Sequence, residues 1–114
     1  MRAWALFSEP IDYQDLRVRK IMIYEKPRGE TRVFLYTERD SQICRADEWY
    51  PSLLDALEIW DARPHGAWVS VGDPLPGCQE DAALPVRVKG RDAGSPEWGK
   101  YEILRDGVWR EYTE

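Results

Sequence analysis

LRVRKIMIYEKPRGETRVFLYT, residues 16–37, decides the architecture of this chain. Its two flanks, residues 16–25 and 31–37, are rich in β-branched, aromatic and aliphatic side chains, which suit a pleated surface. Between them Pro27, Arg28 and Gly29 supply turn chemistry, because proline presets φ and glycine accepts the left-handed position. The stretch therefore reads as an antiparallel β-hairpin.

Downstream, residues 39–50 are polar and show no hydrophobic period, so they read as a connection. Ser52-Leu-Leu-Asp55 then matches a capping box, with Ser52 satisfying the free amides of a helix start and Asp55 reaching back. Leu53, Leu54, Leu57 and Trp60 recur at helical spacing, predicting a helix over 52–62 that Pro64 and Gly66 end. Upstream, residues 2–7 read as a short strand before a polar break at Glu9 and Pro10, and as an edge open to pairing with a second copy. Towards the C-terminus, residues 67–71 and 84–90 read as strands. The long segments 72–83 and 91–99 read as loops, and 100–105 and 108–112 flank Asp106-Gly107, a type I′ hairpin signal. The expected fold is α+β: a single domain, 1–114, with a curved antiparallel sheet of about six to seven strands and one main helix. The order is β-β-β-α-β-β-β-β.

The 114 residues suit one ordered domain, and 43% hydrophobic content argues against disorder. The net charge of −5 is unevenly spread. Residues 51–83 hold six acids and a single base, Arg63, whereas the segments before and after are balanced. Such a stretch repels phosphate backbones, so general nucleic-acid binding is not expected. It attracts a basic protein, although an acidic solvated face also serves solubility. No apolar run reaches membrane-spanning length, and the opening apolar run is shorter than a signal segment, so a cytoplasmic chain is expected. The excess of twelve arginines over four lysines fits a GC-rich bacterial genome.

Few motifs carry chemistry. Cys44 and Cys78 lie far apart, and with the sole histidine, His65, they make a poor zinc set, so reduced thiols are expected. Gly94 to Lys100 has the spacing of a phosphate-binding loop, but Tyr101 stands where Ser or Thr is needed, and a tight turn accounts for it. His65 with Asp61 or Asp73, and a cysteine nucleophile, would make a small hydrolase-like site; a residue in a helix-ending turn is the plainer reading. Asp73, Glu80 and Asp81, joined by Asp47 and Glu48, lack calcium-loop spacing and read as solvated acids. Arg87, Lys89 and Arg91 alternate on a strand and, with Trp98 and Tyr101, suggest a stacking platform for a sugar or nucleotide. Trp4, Trp60, Trp68 and Trp109 read as core, while Trp49, Tyr50 and Trp98 either plug the sheet ends or anchor an interface.

No cofactor and no metal is implied. The leading expectation is a non-enzymatic protein-interaction module, an acidic docking protein of the antitoxin or immunity kind. Its candidate contact residues are Trp49, Tyr50, Asp55, Glu58, Asp61, His65, Asp73, Glu80, Asp81 and Trp98.

Overall fold

The hairpin of residues 16–37 lies at the centre of a five-stranded antiparallel sheet in the computed structural model, which describes all 114 residues. The chain divides into two compact units, Met1–Gly72 and Asp73–Glu114. In the first, β1 (Arg2–Tyr13), β2 (Leu16–Glu25), β3 (Thr31–Tyr36) and β4 (Ala46–Tyr50) precede α1 (Leu53–Trp60) and a two-residue β5 (Val69–Ser70). The sheet order is β4-β3-β2-β1-β5.

Register explains the core. Ala5 faces Ile21, Ile21 faces Leu35 and Ile23 faces Val33, so these side chains share one face. They are essentially inaccessible, and Ala56 and Trp60 of α1 close over them. The helix start follows the capping expectation in part. The Asp55 amide donates to Ser52 Oγ at 3.2 Å, and the Ser52 hydroxyl donates to the Asp55 carboxylate at 2.9 Å. The opposite face of the sheet buries Met22, Phe34 and Tyr36. Lys20 is also buried there, with its ammonium over the Tyr36 ring at 4.3 Å and donating to the Ser41 carbonyl. A buried cation needs such partners to offset its lost hydration.

Two strands depart from expectation. β1 does not stop before Glu9. Its pairing jumps from Leu6↔Lys20 to Ile11↔Val18, so residues 7–10 stand against Arg19 alone and arch out as a bulge. Pro10 is tolerated because the bulged residues have left the ladder. Nor is β1 an edge: β5 pairs with Ala3 and Trp4, the Gly66 amide donates to the Leu6 carbonyl at 2.8 Å, and Phe7 bridges His65. Residues 64–71 therefore cover that side, and the expected self-pairing edge is occupied. The second departure is β4, where a strand replaces the expected connection. It pairs with β3 from Thr31↔Tyr50 to Leu35↔Ala46.

In the second unit, β6 (Val86–Val88), β7 (Tyr101–Arg105) and β8 (Val108–Tyr112) form a three-stranded antiparallel sheet. Asp106 and Gly107 both have positive φ, 51° and 75°, as a type I′ turn requires. Val86, Val88 and Ile103 are buried. Ahead of β7, Gly90 has φ +78°, and a Cβ there would lie 2.3 Å from the Ser95 carbonyl oxygen. The expected class holds: one helix among antiparallel strands. The strands number eight and are shared between two sheets.

Candidate functional site

Helical periodicity sorts α1 into two faces. Leu53, Ala56, Leu57 and Trp60 turn towards the sheet. Leu54, Asp55, Glu58 and Ile59 then occupy the outer side, where Leu54 is 67% and Ile59 49% exposed. From residue 46 to 62 the chain carries five carboxylates and no lysine or arginine. Of these, Asp47 is paired with Arg32 and Glu48 accepts from Tyr50, while Asp55 is tied to its cap. Glu58 has no ion pair or side-chain hydrogen bond within the chain. The outer face is therefore an apolar pair beside carboxylates that no cation on the helix neutralises.

Behind the helix, its inner end is pinned by polar bonds. Trp60, only 2% exposed, donates from Nε1 to the Tyr50 hydroxyl at 3.0 Å. That hydroxyl donates in turn to Glu48 at 2.7 Å. Burial, and then the hydrogen bond to Glu48, push the Tyr50 hydroxyl up to about 12. Tyr13, whose ring lies 6.2 Å from Trp60, is also raised, first by burial and then by Glu48. Tyr50 is thus a structural strut. Trp49, its neighbour in β4, points to the other face and is 62% exposed.

His65 does meet Asp61, the closer of its two expected partners, at 2.6 Å through Nε2. Its Nδ1 faces the Gly66 carbonyl at 2.5 Å, and Trp68 Nε1 donates to the same Asp61 oxygen at 3.2 Å. The hydrogen bonds from His65 and Trp68 hold the Asp61 carboxyl below its usual range. Both ring nitrogens of His65 thus face oxygen atoms of the chain itself, Asp61 on one side and the Gly66 carbonyl on the other. The arrangement clamps the helix end to the segment that covers β1. Beside it, the β1 bulge and Pro64 border a cleft of about 370 Å³, lined by Ser8, Glu9, Pro10, Ile11 and Pro64.

The remaining candidates lie in the second unit. Asp73 is exposed, Glu80 is half-buried and Asp81 is buried, accepting from Gln79 Nε2 at 3.4 Å, so only Asp73 presents a freely solvated charge. Nowhere do three His, Cys, Asp or Glu side chains converge in a metal-binding group. The stacking platform does not assemble. Arg87 pairs across the sheet with Glu102, whereas Tyr101 pairs with Val88, and neighbouring pairs point to opposite faces. Arg87 is already spent on Trp109, 3.8 Å below it, and on Glu102 and Asp92 at 3.2 and 3.5 Å. Trp98 is 75% exposed. In the segment that resembled a phosphate loop, the amides of Ala93, Gly94 and Ser95 donate to carbonyls of the same turn. Cys44 and Cys78 are free thiols, and burial pushes the Cys78 thiol up, away from reactivity.

Of the core tryptophans expected, Trp60 is buried and Trp4, Trp68 and Trp109 are half-buried. The bulge cleft had no sequence signal beyond Glu9-Pro10, which read as a break. No helix is long and apolar enough to cross a membrane. Comparison with protein-family models, curated proteins and solved structures found no match.

Proposed function

We propose that residues 1–72 act as a non-enzymatic docking module that binds another protein through the outer face of α1. The observation that carries this reading is the pair Leu54 and Ile59, large aliphatic side chains 67% and 49% exposed on the only helix, beside Asp55 and Glu58. Water contact with two such side chains is unfavourable, and burial of the part still exposed contributes about 1–2 kcal/mol each. Charged residues at the margin of such a patch steer encounter more than they add affinity, so the fitting partner has an apolar seat with a basic rim. This is the chemistry of an acidic antitoxin or immunity protein facing a basic effector.

No specific observation favours the hydrolase-like alternative centred on His65, whose two ring nitrogens face Asp61 and the Gly66 carbonyl. The docking reading is tested by capture from a lysate of the source organism with the native chain, Leu54→Ser/Ile59→Ser and Glu58→Lys, at low and high salt. The expected result is a stoichiometric partner that the apolar double variant loses at both salts. Glu58→Lys should weaken capture chiefly at low salt. Equal capture by all three chains refutes it, as does no capture at either salt.

A further inference from the structure

Residues 8–11, around the break in the ladder, and Pro64 border the cleft of about 370 Å³, a volume at the lower end of sites that take small organic ligands. Its walls are fixed. The Ser8 amide donates to the Pro64 carbonyl at 3.0 Å, tying the bulge to the segment that follows α1, and Ile11 returns to the ladder opposite Val18.

The chemistry of the lining selects the sign of the ligand. Pro10 and Pro64 have no N–H, and the Ser8 N–H is spent, so most of the lining offers no backbone donor to an anion. Pro10, Ile11 and Pro64 present carbon. The two side chains able to bond a ligand, the Ser8 hydroxyl and the Glu9 carboxylate, make no hydrogen bond or ion pair within the chain. Glu9 is the only charge in the lining. Neither basic side chain next to Pro64 is paired with it: Arg63 lies over the Trp60 ring at 5.4 Å, and the His65 ring faces Asp61 and the Gly66 carbonyl.

We propose that this cleft binds a small organic cation, an aliphatic amine or guanidine. Its methylene chain lies on Pro10, Ile11 and Pro64, and its charged head pairs with Glu9. A charge-assisted bond beside an apolar wall is stronger than the same pair in open water, which gives an otherwise solvated carboxylate its selectivity. The site is separate from the α1 docking face and stands or falls independently of it.

The test is titration of the isotopically labelled full chain with agmatine, with hexanoate as a control of similar length and opposite charge. Saturable shifts should appear at the Ser8, Glu9 and Ile11 amides with agmatine and not with hexanoate. Glu9→Gln, at an exposed position, should weaken agmatine binding about tenfold, the loss of one charge-assisted bond. Ser8→Tyr, which fills the cleft, should abolish it. Equal response to hexanoate overturns the proposal. So does unchanged affinity in Glu9→Gln, or a non-saturating response spread over Asp55 and Glu58.

Discussion

Replacing Tyr50 by phenylalanine removes one oxygen and breaks two bonds that hold α1 on the sheet. The hydroxyl accepts from Trp60 Nε1 at 3.0 Å and donates to Glu48 at 2.7 Å. Trp60 is 2% exposed, so its N–H has no access to a substitute water and bears a desolvation penalty of about 1–3 kcal/mol. The bond to Glu48 is charge-assisted but half-exposed, and its loss adds about 1 kcal/mol. Tyr50→Phe should therefore destabilise the chain by about 2–4 kcal/mol. Guanidinium unfolding followed by tryptophan fluorescence measures this, with a lower midpoint and an unchanged slope expected. The alkaline limb gives a second readout. The folded Tyr50 value of about 12 lies above that of an unfolded tyrosine. Its contribution is thus fully present below about pH 10 and is lost as pH rises towards 12. Tyr50→Phe should flatten that part of the stability profile, leaving the smaller share due to Tyr13. A loss below about 0.5 kcal/mol would refute the strut.

Gly90→Ala should cost about 2 kcal/mol or more by thermal unfolding, because it adds a clash with the Ser95 carbonyl to the strain of a positive φ. Gly94→Ala, with positive φ but open space around it, should cost only about 1 kcal/mol. Asp61→Asn should remove part of the acid dependence of stability. The Asp61 carboxyl is held below its ordinary value, so its contribution is present above about pH 4 and disappears as pH falls through the folded value. Unfolding midpoints across that range should show a shallower acid limb in the variant, and an unchanged limb would contradict the clamp.

The most local features of the fold were the most legible. The hairpin of residues 16–37 and the Asp106-Gly107 turn carry their own geometry in sequence, and α1 announces itself by cap and period. β4 was not legible, because Ala46-Asp-Glu-Trp-Tyr50 lacks β-branched residues and its adjacent acids look like loop. As the terminal strand of the sheet it keeps Asp47 and Trp49 exposed, so no alternation of apolar and polar residues marks it. The extension of β1 through Pro10 depends on a bulge that only the register against β2 defines. The split into two sheets is equally non-local, since strand propensity says nothing about which strands pair.

The site divided in the same way. The pairing of His65 with Asp61 was visible as one helical turn of spacing, but the exposed apolar pair on α1 was not: the stripe put Leu54 beside Leu53 and Leu57, and Ile59 carried no signal of its own. That Asp81 is buried, that Arg87 is consumed by Trp109 and Glu102, and that Tyr50 serves as a strut are consequences of packing. Charge counting alone could not tell the buried Asp81 from the exposed Asp73.

Site-specific photocrosslinking in cells of the source organism tests the docking face most directly. A photoreactive residue would be placed at Leu54, at Ile59 and, as a distant control, at Arg28 in the β2–β3 turn. The account predicts one discrete adduct shared by positions 54 and 59 and absent at 28. No adduct at the helix positions, or the same adducts at all three, would contradict it.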